Sequence, residues 1–303
     1  METQRELPKK YKKEFSHSYT LGPFPTFELL LCRPESAEAV YFEESFTERG
    51  KLSEACRAAG VPCICSKRAL ERISNKENCY AAGVFRKYEG RLSPDRPHVA
   101  LVCPSDMGNL GTILRTLLGF GIRDLALVGN GADVWNPKVV RASMGALFRM
   151  EVESFPEFSD YLNRFGEGRS LYPFMLDGGT VLTPESCPRA DRYTLIFGNE
   201  ASGLPPEFQN CGQSLFIHQT DAVDSLNLAV SVAIGSYLFT QKNGRPGHIL
   251  GQKWVKRSPA NTVDLQSRID LRLSEEVRAE NCSDFSHIFQ SCDRIVHEFY
   301  GII

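Results

Sequence analysis

Three short clusters of this 303-residue chain combine side chains able to hold a phosphate or a developing oxyanion with backbone able to approach a ligand closely. The first, SDMGNLGTILRTLLGFG at 105–121, sets Asn109 and Arg115 in an otherwise apolar segment. Read as a helix from about Asn109, it divides into two faces. One is an apolar stripe of Leu110, Ile113, Leu114, Leu117 and Leu118, and the other is a small, polar strip of Thr112, Arg115, Thr116 and Gly119. Arg115 is the only charge in that helix. Its guanidinium presents donors in a fixed fork that matches phosphate, and its short neighbours leave room beside it. A salt bridge at the core edge is the structural alternative for Arg115. Asn109 is expected at the N-cap, where its side chain would satisfy free backbone N–H groups.

The second cluster, YTLIFGNEASGLPPEF at 193–208, is an apolar strand that stops at Gly198 and runs into Asn199, Glu200 and Gly203. Two glycines around a lone carboxylate suggest backbone brought close to a ligand, the alternative being a tight turn with a solvated Glu200. The third, LFIHQTDAVDSLNLAVSVAIGSYLF at 215–239, leads into a helix expected from Ser225 to about Thr240 that carries no charge. Asp224, Ser225 and Asn227 gather at its head, where free N–H groups and the positive helix end favour an anion. Capping by Asp224 or Ser225 is the competing role.

Alternating periodicities supply the elements that must position these clusters. Residues 24–88 read helix, strand, helix, strand, helix, strand, a small α/β unit. EGRLSPDRP at 89–97 breaks both patterns with two prolines, and the domain boundary is placed there. Beyond it, HVALVC, DLALVG, FRMEVE, SLYPFML, YTLIFG and LFIHQ alternate with helical segments. Such alternation predicts a mostly parallel sheet covered on both faces, with its chemistry in the loops after the carboxyl ends of the strands. The expected division is 1–94, 95–245 and a helical extension at 246–303.

Composition sets the outer bounds. With 42% hydrophobic and 24% charged residues the chain reads as globular, and a formal net charge of -2 offers no whole-chain attraction to nucleic acid. The basic run KKYKKEF near the start reads as a solvated tail. No stretch reaches the ~20 apolar residues of a membrane span, and the opening residues lack the apolar core of a secretory leader, so a cytoplasmic location is expected. The ten cysteines are scattered, with no C-x-x-C pair, and read as small buried hydrophobes rather than metal ligands; no metal is expected.

Taken in order, the three clusters resemble the signature of the SpoU/TrmH family of RNA ribose 2'-O-methyltransferases, part of the SPOUT class. Asn109, Gly111, Arg115, Thr116, Phe120 and Gly121 match its first motif. Gly198, Glu200, Gly203 and Leu204 match the second, and Ile217, Ser225, Leu226 and Asn227 the third. RASMGALF at 141–148 looks like the family's connecting segment. The sequence departs from the pattern at His218-Gln219, where Pro-Met is usual. The resemblance implies a small N-terminal α/β RNA-recognition domain followed by a parallel-sheet SPOUT domain with a C-terminal trefoil knot. It implies S-adenosyl-L-methionine held at Gly198, Ile217 and Leu226, with Leu176 and Gly178 of MLDGG lining the same pocket. Asn109, Arg115, Glu200, Ser225 and Asn227 become the catalytic set of a homodimeric enzyme acting on RNA, ribosomal rather than transfer. The alternative is a knotted RNA-binding or assembly protein without catalysis.

Overall fold

The computed structural model describes residues 7–74 and 79–243. Within 7–74 and 79–88, β1 (His17–Tyr19), α1 (Pro23–Cys32), β2 (Ala37–Phe42), α2 (Arg49–Ala58), β3 (Cys63–Cys65), α3 (Lys67–Ile73) and β4 (Ala81–Arg86) build a four-stranded sheet ordered β1-β4-β2-β3. Local chemistry sets the helix starts. Pro23 opens α1, where a missing N–H costs no intrahelical bond, and the Ser66 hydroxyl caps α3 by accepting from Ala69 N at 3.2 Å.

The second sheet positions the clusters. It contains β5 (His98–Val102), β6 (Asp124–Val128), β7 (Glu151–Phe155), β8 (Ser170–Pro173) and β10 (Tyr193–Phe197), all parallel and ordered β7-β6-β5-β10-β8. Between and after them run α4 (Met107–Phe120), α5 (Pro137–Ala142), α6 (Phe158–Phe165), β9 (Thr180–Val181), β11 (Leu215–Phe216) and α7 (Leu228–Asn243). The central strands are apolar except near their amino ends, where His98, Asp124 and Thr194 lie, because both sheet faces are covered. One face buries Leu110, Ile113, Leu114 and Leu117 of α4 with Val232 and Phe239 of α7. The other buries Tyr161 and Phe165 of α6 with Phe208. The chain builds β5, β6 and β7 outward, then crosses to lay β8 and β10 on the opposite side of β5. The strand order therefore reverses between β5 and β10, and the crevice beyond their carboxyl ends is where such sheets bind ligands.

Segment 89–97 is pinned across the amino ends of the strands. Ser93 N donates to Asp124 at 2.7 Å, and Arg169 donates to the carbonyls of Pro94 and Arg96 at 2.6 and 2.9 Å. The small sheet is also tied to the large one. Arg149 pairs with Glu28 at 2.7 Å and Arg33 with Glu151 at 2.9 Å, while Phe85 packs edge-on against both Trp135 and Phe148.

Several expectations shift. The first helix of the large sheet starts at Met107 rather than Asn109, with Asp106 as its cap, and the last starts at Leu228 rather than Ser225. β11 ends at Phe216, leaving Ile217 outside it. β1 and β9 have no counterpart in the sequence pattern, being too short for a period to register. Of the eight described cysteines only Cys56 and Cys187 are buried, so most are not core hydrophobes. The extension expected at 246–303 lies outside the described residues. No helix among the described residues is long and apolar enough to cross a membrane.

Candidate active site

The loops after β5, β10 and β11 meet at the switch point, and the first contact between them is made by Glu200. Its carboxylate accepts hydrogen bonds from Ser105 N at 2.9 Å, Ser105 Oγ at 2.8 Å and Asp106 N at 3.0 Å. These donors precede α4, so Glu200, reaching from the neighbouring loop, satisfies groups that the head of a helix leaves free. Burial by itself would raise the carboxyl's pKa, but the bonds from Ser105 and Asp106 outweigh it and hold Glu200 down at about 2. Glu200 is neither a solvated turn residue nor a lone carboxylate.

Asn109 extends this contact to the third loop. Its N–H is already taken by the Asp106 cap at 2.7 Å, which frees the side chain for other partners. Asn109 Nδ2 donates to Glu200 Oε1 at 3.3 Å, and Asn109 Oδ1 accepts from Asn227 Nδ2 at 3.0 Å. Asn227 Oδ1 in turn accepts from Ala229 N at 2.9 Å and Val230 N at 3.4 Å, so Asn227 caps α7. Glu200, Asn109 and Asn227 thus form one line of hydrogen bonds joining the heads of two helices. The capping role that sequence assigned to Asn109, Asp224 or Ser225 belongs to Asp106 and Asn227.

Two residues that the sequence reading gave no role complete the frame. Asn199 Nδ2 donates to the Cys103 carbonyl at 2.8 Å, and its Oδ1 accepts from Ala201 N at 2.9 Å, closing the turn that presents Glu200. Ser105 supplies two of the donors to Glu200. The signal for Asn199 was present in the sequence, since Asn after a strand commonly bonds backbone two residues on.

Gly198 owes its identity to its own loop. A Cβ there would lie 2.1 Å from the Gly203 carbonyl carbon, and the backbones of Asn199 and Gly203 pair in both directions. The close approach is protein to protein. In the loop after β8, Gly178 likewise lies against Leu215, and Met175 N donates to the Leu215 carbonyl at 2.9 Å. This seats Leu176 and Gly178 beside β11, the strand that leads to Ile217. Leu176 is 61% exposed and Val223 51% exposed, both on loops leaving this end of the sheets. Ser225 is exposed and Leu226 half-buried in the stretch just before α7.

Arg115 stands apart from these groups. It lies six residues beyond Asn109, about 9 Å along the helix. With Thr112 and Gly119 it is on the exposed face of α4, and it has no hydrogen-bond or ion-pair partner among the described residues. No salt bridge occupies it. Among the described residues no group of three or more His, Cys, Asp or Glu is placed to hold a metal.

An open parallel sheet whose strand order reverses beside a loop-built cradle defines a ligand-binding α/β protein with chemistry at its switch point. Residues 96–237, a little under half of the chain, match the sequence profile of the SpoU rRNA Methylase family. The 23S rRNA (guanosine(2553)-2'-O)-methyltransferase of Bacillus subtilis is 29% identical over 184 residues, which are 59% of this chain and 72% of that one. A TrmH-family structure from Porphyromonas gingivalis superposes with a TM-score of 0.62 at 27% identity, over 75% of this chain and 91% of its own. An AdoMet-bound rRNA methyltransferase structure from Sinorhizobium meliloti, 23% identical, shares the fold with a TM-score of 0.64 over 75% of this chain and 87% of its own.

Proposed function

We propose that the protein is an S-adenosyl-L-methionine-dependent methyltransferase that methylates a ribose 2'-hydroxyl of RNA, ribosomal RNA in particular. The single observation that carries this reading is the hydrogen-bonded line Glu200–Asn109–Asn227, which unites all three family motifs at the switch point. The rRNA-directed activity named for the Bacillus subtilis relative supports the substrate class.

The loops suit the cofactor chemically. Leu176 and Val223 are apolar side chains left exposed, as a purine face would need, and Ile217 and Leu226 flank Val223 in sequence. Asp177, Asp221 and Asp224 are exposed carboxylates on the same loops and complement a sulfonium cation. Gly198 shapes this cradle through its own turn. When bound, the cofactor supplies an electrophilic methyl group.

The protein's part is to align the hydroxyl and hold charge. A guanidinium keeps its proton, so Arg115 acts as a donor that grips the ribose-phosphate and stabilises the alkoxide as its proton passes to water. Asn109, Asn227 and Ser225 orient the nucleotide. Glu200 fixes the loops around them, and its depressed pKa makes it an anchor rather than a base. Because Arg115 lies two turns from this line, we assign the site to a homodimer in which Arg115 of one copy faces the cofactor loops of the other. In the same reading, residues 1–94 recognise RNA, 95–245 carry catalysis in a trefoil-knotted fold, and the enzyme works in the cytoplasm.

The test is titration calorimetry with S-adenosylmethionine, followed by methyl transfer from labelled cofactor to ribosomal RNA with alkaline hydrolysis of the product. A 2'-O-methyl group protects the adjacent linkage, so label in alkali-resistant dinucleotides supports the reading. Cofactor binding without transfer to any RNA would favour the non-catalytic knotted protein instead.

A further inference from the structure

The basic run near the start of the chain is a fixed part of the structure. Residues 9–13 hold four lysines, Lys9, Lys10, Lys12 and Lys13, in a protein whose formal net charge is -2. The run is fastened at three points, two through its backbone and one through the Tyr11 side chain. The Tyr19 hydroxyl donates to the Lys9 carbonyl at 2.7 Å, and Lys87 Nζ donates to the Lys13 carbonyl at 2.7 Å while lying 4.9 Å from the centre of the Tyr11 ring. Between them the Tyr11 hydroxyl donates to Asp133. Further on, the Ser18 hydroxyl donates to the Trp135 carbonyl. The ammonium groups of Lys10, Lys12 and Lys13 remain outward, exposed and without an ion-pair partner among the described residues.

Asp133 decides where that charge is delivered. It belongs to the loop after β6, at the carboxyl end of the large sheet, the same end as the switch point. One residue earlier, Ala132 N donates to the Pro104 carbonyl at 2.6 Å, and Pro104 adjoins Ser105, which holds Glu200. A continuous path of bonded residues thus runs from the lysines through Tyr11, Asp133, Ala132 and Pro104 to the Glu200–Asn109–Asn227 line.

We propose that residues 9–13 form a pre-set phosphate clamp, in which Lys10, Lys12 and Lys13 grip the RNA backbone beside the nucleotide presented to the switch-point site. The proposal rests on the RNA-directed activity inferred above. A solvated tail would have to be ordered on binding. Here the backbone is already fastened to Tyr19 and Lys87, and the Tyr11 side chain ties the run to Asp133 of the catalytic sheet, so its charges fix the register of the RNA relative to the site.

The experiment measures fluorescence anisotropy of a fluorescein-labelled oligouridylate against the full chain across a range of KCl concentrations. The proteins compared are the wild type, the triple variant Lys10→Gln, Lys12→Gln, Lys13→Gln, and Tyr11→Phe. Each phosphate contact on single-stranded RNA contributes about 0.7 to the log–log salt slope, so loss of three lysines should flatten it by about 2 and weaken low-salt binding roughly tenfold or more. Tyr11→Phe keeps every charge but loosens the strap, so it should keep the slope and lose affinity a few-fold. An unchanged slope and affinity in the triple variant overturns the clamp. Wild-type affinity in Tyr11→Phe overturns its anchoring to Asp133. S-adenosylmethionine binding and methyl transfer to ribosomal RNA, run on the same proteins, separate this from the activity itself. An active wild type whose triple variant binds normally removes only the clamp, whereas a wild type that neither binds cofactor nor transfers methyl removes the reading on which it rests.

Discussion

Replacing Glu200 by Gln isolates the contribution of a single charge to the joint between two loops. The carboxyl sits at about 2 against its usual 4.5, a displacement that at about 1.4 kcal/mol per pH unit bounds the charge's contribution at roughly 3.5 kcal/mol. The residue is only half-buried, and solvent screening reduces this to about 1–2 kcal/mol at neutral pH. Gln also turns one acceptor into an NH2 group that opposes the N–H donors of Ser105 and Asp106. The direction with pH follows from linkage. A carboxyl whose pKa is lower in the folded state stabilises it fully above the unfolded value near 4.5, and the contribution is lost as pH falls toward 2. Urea unfolding of the wild type and Glu200→Gln, followed by circular dichroism between neutral pH and pH near 3, should give a gap that narrows on acidification. A gap of equal size at both ends of that range, or none at neutral pH, would refute the argument that charge at Glu200 holds the loops together.

Arg115→Ala should leave unfolding within about 0.5 kcal/mol of wild type, since an exposed side chain without partners is removed. Methyl transfer should fall at least about a hundredfold, with S-adenosylmethionine affinity unchanged, as expected for loss of an electrostatic donor used in the transition state. Turnover within a few-fold of wild type would remove Arg115 from the site. Asn227→Ala should cost about 0.5–2 kcal/mol in denaturant unfolding through loss of the α7 cap, together with its tie to Asn109. Gly111→Ala should destabilise by about 1–3 kcal/mol, because a Cβ there would lie 2.4 Å from Ala142 Cβ and 2.9 Å from the Val139 carbonyl. Wild-type stability in that variant would mean α4 and α5 can separate at little expense. Gly198→Val is a poor probe of the cofactor, since its Cβ meets the Gly203 backbone and the loop would be disrupted directly.

The parallel sheet was legible in the sequence because apolar runs such as VALV and LALV, separated by helical segments, satisfy the burial demands of a sheet covered on both faces. The three clusters were legible too, since Gly, Asn, Glu and Arg are unusual beside such runs. Helix boundaries were less so. Asp106 and Asn109 are both able to cap a helix, and local chemistry could not choose between them.

What the sequence by itself determined about this protein was the alternation of its longer strands and helices, and that three separated segments carry its distinctive polar groups. Only the tertiary structure decided what those groups do to one another. Ser105 and Glu200 lie 95 positions apart, and Asn109 and Asn227 118 apart, so their bonds exist only because the strand order reverses between β5 and β10. The same holds for the basic run. A pattern of lysines has no anchor in sequence, and its place at the active end of the sheet is set by a hydrogen bond from Tyr11 to Asp133, 122 positions away.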